Sequence, residues 1–278
     1  MDTSWKKFIS NYSNQKSFWQ VHKRDLDETE ALLMLGVFKK FEGQSWTKNQ
    51  GNIKKELIKE GLIKPRKDDS KGSSSALVRG LTRVMTRFGL MYWDDTTNKI
   101  YITPVGYNYL RLADFKRLKQ QQLWKFMIYN PNYPKDFLEC KIIPHAVLVK
   151  ILIDIKESYI TKKEFNLFVS RIEKSNDISE TINKIYQWRK LIKNDQDLII
   201  KRLQNIRISA RGGSVYTKIN GCSTYTLNFL VNNFNYLLQD EEKISLKKKD
   251  KAQELLEKFN KDFEPINFHS KKDWMEFY

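Results

Sequence analysis

Cysteine is scarce in this sequence: Cys140 and Cys222 stand alone, far apart and in unrelated contexts. They offer neither a CxxC pair nor a disulfide framework, as expected of a reducing compartment. Histidine is as rare, and His22, His145 and His269 are isolated, so neither metal-ligand spacing nor a catalytic triad can be assembled from them. No P-loop, nucleophile elbow or HExxH pattern is found. Long apolar runs are also missing. The longest, Ala146 to Ile155, is broken by Lys150 and Asp154, well short of the roughly 18 apolar residues of a membrane span. Met1 to Ile9 holds Trp5, Lys6 and Lys7 but no apolar core of a signal peptide, so a cytoplasmic location with no membrane association is expected. Acidic residues are the last shortage: 33 Asp and Glu face 50 Lys and Arg, for a net charge of +17. An AT-rich genome would favour Lys codons, but it would not by itself drop the acids so far. Such a field attracts polyanions, of which nucleic acid is the commonest.

What is present is enough for a core. The 278 residues are 40% hydrophobic and 13% aromatic, room for one large domain or two ordinary ones. Asp27 caps an expected helix to about Lys40, stopped by Gly43, and a second helix fits Asn52 to Glu60 before Gly61. Residues 64–75 read as a loop. From Ser73 to Phe88, Leu77, Leu81, Val84, Met85 and Phe88 form one apolar stripe. Ser75, Arg79, Thr82, Arg83, Thr86 and Arg87 fall on the opposite face. Gly89 sits where a left-handed cap belongs. Leu90–Asp94 and Lys99–Thr103 then read as strands around the turn Asp95–Asn98, and Thr103-Pro104 opens another helix.

Residues 111–141 form a connector of Lys, Gln and aromatics. Pro144 opens an apolar helix to about Ile155. Thr161 with Glu164, and Asp177 with Glu180, read as capping boxes. The first helix then runs through Ile172, and the second carries Ile178, Ile182, Ile185 and Ile192. The helix–hairpin–helix order returns downstream, with the stripe Thr226, Leu227, Leu230, Val231 and Phe234. Asn235 stands at the left-handed cap, and strands Tyr236–Leu238 and Ile244–Leu246 flank the turn Gln239–Glu242. A helix from about Asp250 closes the unit. The expected fold is therefore mainly α with short β-hairpins: two winged-helix-like subdomains, 1–115 and 195–278, joined by a helical connector, 116–194.

Two helices are candidates for reading duplex DNA. Arginine bonds bidentately to guanine O6 and N7. Arg79, Arg83 and Arg87 recur every four residues over about 12 Å of helix axis. Ser75, Thr82 and Thr86 beside them suit phosphates or base edges, and Lys99 lies near the hairpin turn. The plainer alternative is a solvated basic face. The second candidate, Ser223–Asn235, offers Thr224, Tyr225, Asn228 and Asn232, and asparagine suits adenine N6 and N7. Before it lie Arg202, Arg207 and Arg211, then Gly212 and Gly213, suited to backbone contact.

A Mg²⁺-dependent nuclease centre needs converging carboxylates and a lysine near the attacking water. Asp136, Asp154 and Lys156 give one lookalike and Glu139-Cys140-Lys141 a poorer one. The long run opened by Pro144 reads as a helix rather than the strand such a centre requires. No catalytic residue, metal ligand or cofactor is therefore assigned in this chain.

Several blocks carry a family resemblance. They are Trp19 before a helix, Phe41–Gly43 with Trp46, the Ile102–Leu110 pattern, the Lys163–Phe165 and Asp177–Arg189 patterns, and the closing FEPINFHSKKDWMEFY. Together they resemble the AlwI-like type IIS restriction and nicking endonucleases. That resemblance implies two winged-helix-like subdomains reading a short asymmetric site as a bacterial, cytoplasmic monomer. It further implies a Mg²⁺-dependent cleavage domain that would begin about where this sequence stops, at Tyr278, or a separate nuclease subunit. A winged-helix regulator or replication initiator, dimeric on a palindrome, is the alternative from another class.

Overall fold

Local signals start most elements of the chain. In the computed structural model, residues 3–14, 19, 27–65, 74–112, 114–123, 125, 142–207, 213–259 and 271–277 are described. Helix α1 covers Thr3–Asn14. Asp27 accepts from the Glu30 N–H at 2.7 Å and caps α2, Glu28–Lys40. Ser45 caps α3, Trp46–Lys59, which starts two turns earlier than its apolar pattern suggests. Helix α4, Ser74–Arg87, ends in a turn where Gly89 adopts φ 66, a left-handed conformation that glycine takes without steric cost. Strands β1, Met91–Trp93, and β2, Ile100–Ile102, follow. Then come α5, Pro104–Leu112, and α6, Phe115–Leu123. Downstream lie α7, Pro144–Asp154, β3, Tyr159–Thr161, and α8, Lys162–Leu167, then a 3-10 turn at Val169–Arg171. They lead into α9, Asp177–Lys190, α10, Lys193–Asn205, and α11, Val215–Asn233. Strands β4, Leu237–Asp240, and β5, Lys243–Leu246, precede α12, Lys249–Phe259, and α13, Lys271–Phe277. The architecture is mainly helical with small antiparallel sheets, the class expected from sequence. Among the described residues no helix is long and apolar enough to cross a membrane.

The chain divides into two compact units, each discontinuous in sequence. The first unit joins His22–Phe126 to Ile266–Tyr278, and the second joins Met1–Val21 to Met127–Pro265. This division differs from three consecutive stretches: the expected connector largely folds into the second unit, because β3 pairs with β5 across α8 to α11.

In the first unit, α2, α3 and α4 enclose Met34, Leu35, Phe38, Ile53, Leu57, Leu81, Met85 and Phe88, all buried. The hairpin pairs Met91 with Ile102 and Trp93 with Ile100, and a bridge between Ser45 and Lys99 lays the entry to α3 beside β2. The Phe41–Gly43 and Ile102–Leu110 patterns have a structural explanation here. The Glu42 carboxylate accepts from the Ile102 N–H at 3.0 Å and from the Tyr107 hydroxyl. A Cβ at Gly106 would stand 2.1 Å from the Leu90 carbonyl oxygen, so only glycine lets α5 pack this close.

The second unit holds a three-stranded sheet in the order β3-β5-β4, packed with the apolar α7 and with α8 and α11. Buried Trp19 donates its indole N–H to the Ile172 carbonyl at 2.8 Å and packs edge-on to Phe165. Thr161 and Glu164 form the expected capping box. Glu164 also takes a bidentate pair from Arg189, at 2.7 and 2.8 Å, which explains why its pattern travels with Asp177–Arg189. The second expected box does not form. Asp177 instead accepts from the Glu173 and Lys174 N–H groups ahead of α9, and Asn176 at the cap makes no side-chain bond. Asn235 is not left-handed. Within this hairpin the residue with positive φ is Glu241, in a two-residue turn between Asp240 and Lys243, because that tight turn, not the helix end, needs the reversal.

Candidate nucleic-acid interface

Helix α4 turns Arg79 and Arg83 to solvent. Arg87, expected beside them, is buried at 8% exposure. Thr82 and Thr86 are also inside. The Thr82 hydroxyl donates to the Val78 carbonyl at 2.7 Å and Thr86 to the Thr82 carbonyl at 2.9 Å. A threonine that satisfies its hydroxyl on its own helix can be buried, so the core face is wider than the apolar stripe and takes in Val78. The Ser75 and Leu77 side chains lie outside the described residues.

Lys99 is exposed where the turn of the neighbouring hairpin closes. The hairpin tip is tied to the start of α3. The Asn98 carbonyl accepts from the Trp46 N–H at 2.7 Å, and its side-chain amide donates to the Ser45 hydroxyl at 2.9 Å. The Thr47 hydroxyl donates to the Asn98 side-chain oxygen at 3.0 Å. Trp46 and Trp93 stack beneath, with centroids 5.1 Å apart. The turn, the helix entry and a basic side chain therefore sit together.

Helix α11 begins at Val215 rather than Ser223. Ser214 accepts from the Thr217 N–H at 3.0 Å and caps it. Its exposed face carries Tyr225, Asn228 and Asn232, and it adds Lys218, which sequence reasoning missed. The available signal was Ser214 after Gly212-Gly213, a cap placed about three turns before the apolar stripe. Thr224 is half-buried and donates to the Asn220 carbonyl at 2.8 Å, so it does not join that face freely. Asn228 and Asn232 line a groove with Val231, Leu237, Leu238, Gln239 and Lys247, where the helix meets β4. Arg207 is exposed and pinned by its bridge to Ser214, next to the start of α11. Arg211 lies outside the described residues.

The model of the AlwI restriction endonuclease family matches residues 86–268, more than half of the chain. The chain belongs to the AlwI restriction endonuclease family. The stretch matched to the AlwI family takes in the first hairpin and all of α11, while Arg79 and Arg83 lie just ahead of it. No curated protein matches. One similar solved structure is described as pyrene- and phenanthrene-modified DNA in complex with the BpuJ1 endonuclease binding domain. It has a TM-score of 0.55 at 16% identity, over 88% of this chain and 90% of that one, a likeness of fold.

Of the nuclease lookalike, Asp154 and Lys156 lie among the described residues. Asp154 is paired with Lys150 at 2.6 Å on α7, and Lys156 follows the helix end, its N–H donating to the Tyr186 hydroxyl at 2.8 Å. Asp136 and Glu139–Lys141 lie outside the described residues. Among the described residues no three His, Cys, Asp or Glu are grouped to hold a metal ion.

Proposed function

We propose that this chain reads a short asymmetric site in duplex DNA and serves as the specificity module of a type IIS restriction or nicking endonuclease. Phosphodiester hydrolysis and its Mg²⁺ are assigned to a domain or subunit outside these two units. The observation that carries the reading is the repeated arrangement. In each unit a helix, a short strand or bridge, a second helix, a solvent-facing helix and a hairpin follow in order. In each, the short strand lies against the hairpin's second strand, at Ser45 with Lys99 and at Thr161 with Lys243. We read this order as a winged-helix arrangement, with α9 and α10 inserted in the second unit. The solvent-facing helices, α4 and α11, carry Arg79 with Arg83, and Asn228 with Asn232, the side chains suited to purine edges. Two different readers in one chain make a monomer on an asymmetric site, in a cytoplasmic restriction system. The family and the fold of an endonuclease binding domain seen with DNA support this assignment.

The test is selection of bound sequences from a random duplex library with the full chain, followed by addition of Mg²⁺. The expected outcome is an asymmetric motif whose DNA stays uncut. A palindrome or no motif would overturn the reading, and Mg²⁺-dependent cutting would move the chemistry into these units. Arg83→Ala is expected to cost about 1–3 kcal/mol of binding and to relax one motif position.

A further inference from the structure

Helix α11 contains a glycine that its own fold does not need. Gly221 is the seventh of its 19 residues, and beyond its chain neighbours and the helix's own backbone nothing lies within 4 Å of where a Cβ would stand. Glycine inside a helix weakens it relative to alanine, through backbone entropy and exposed peptide groups. A close internal neighbour would explain that cost, as Leu90 does at Gly106, but Gly221 has none. Its place on the helix supplies another reason. At the helical turn angle, Lys218, Gly221, Tyr225, Asn228 and Asn232 fall within about 80° of one another, on the face that is open to solvent. Lys218 is one turn before the glycine and Tyr225 one turn after it, and both are exposed. Arg207 sits at the start of the same helix.

We infer that Gly221 is the point of closest approach between this protein and its DNA. A phosphodiester strand crosses α11 there, against bare helix backbone, with Lys218 and Arg207 on its charge and Tyr225 beside it. Asn228 and Asn232, farther along the same face, are thereby set at the depth of the bases. The inference rests on the reading of α11 as a DNA-facing helix. It adds a positioning residue whose contribution is the absence of a side chain.

The test pairs two readouts on Gly221→Ala in the full chain. Melting temperature should rise by roughly 2–4 °C, as expected for gaining helix propensity in a domain of this size. Affinity for random-sequence duplex DNA should fall about tenfold. The salt dependence should stay unchanged, because no charge is removed. Lys218→Gln should also weaken binding on every sequence, but with a salt slope reduced by about one. Gly36→Ala, on α2, where a Cβ also has open space, is the control: a similar gain in melting temperature with unaltered affinity. A stabilised Gly221→Ala protein that binds as well as the parent overturns the inference. So does a destabilised one, since the glycine would then serve the fold. Failure of the parent chain to bind DNA at all would instead remove the functional reading beneath it.

Discussion

The two hairpins share a topology and differ in their tips. In the first unit Asp94 is consumed by its own turn, accepting from the Thr96 and Thr97 N–H groups at 3.0 and 2.6 Å and from the Thr97 hydroxyl at 2.9 Å. Threonine, asparagine and Lys99 then share the tip with one exposed carboxylate, Asp95. In the second unit Asp240, Glu241 and Glu242 are all exposed. The nearby cations are engaged within the protein: Lys162 lies 3.5 Å from Glu242, and Lys243 lies 4.7 Å from the centre of the Tyr159 ring. Three carboxylates at a turn repel a phosphate backbone. The helix compensates, since α11 has 19 residues and a continuous polar face whereas α4 has 14 and shows two exposed arginines. One arrangement thus supports two divisions of labour. On the proposed function, the first unit would bring helix and hairpin to the DNA together, and the second would bring the helix.

The largest test of this contrast concerns stability. Glu164→Ala strands the buried end of Arg189 and uncaps α8, and should cost about 3–5 kcal/mol. Glu42→Ala loses two hydrogen bonds at a more open site and should cost about 1–3 kcal/mol. Chemical denaturation of both variants checks the order, and equal losses would erase the distinction between a charge-locked unit and a hydrogen-bonded one. Acid should come next. His145 is fully buried against Phe234, and burial lowers its pKa from 6.5 to about 3. Its neutral form belongs to the folded state, so its contribution is complete above the unfolded value near 6.5. That contribution drains away as pH falls towards 3. Unfolding measured from pH 7 to pH 4 should show the parent losing more stability than His145→Leu, and parallel profiles would refute this. The smallest effect is expected on α4. Thr82→Val and Thr86→Val should leave DNA affinity unchanged and shift stability by no more than about 1 kcal/mol. A clear loss of affinity in a binding titration would return the reading face to the side now buried.

Much of the fold was legible where a side chain acts on its own neighbourhood. Asp27, the Thr161–Glu164 box and Gly89 announce their turns because caps are local chemistry. The family patterns around Glu42, Gly106 and Glu164 stand out in sequence, yet what they do is visible only once Tyr107, Leu90 and Arg189 arrive from elsewhere in the chain. The candidate site was half legible. Arg79, Arg83, Tyr225, Asn228 and Asn232 reach solvent as periodicity suggested. Thr82 and Thr86 do not, because a hydroxyl bonded to its own helix passes for polar in sequence and is apolar in effect. Arg87 is buried as well, against what its place on the charged face suggested. The early start of α11 was hidden by weak helix formers between Ser214 and the apolar stripe. The discontinuous units were hidden because nothing in sequence order foretells that β3 pairs with a strand four helices later.

The knot around Asn98 has a mechanical corollary. Three hydrogen bonds and a tryptophan stack make the hairpin tip and the entry of α3 a single jaw whose span the protein does not adjust. A duplex seated against it cannot be followed as its grooves narrow or widen. On the proposed function such a jaw would work as a fixed gauge, registering the local shape of DNA as well as the letters written in it.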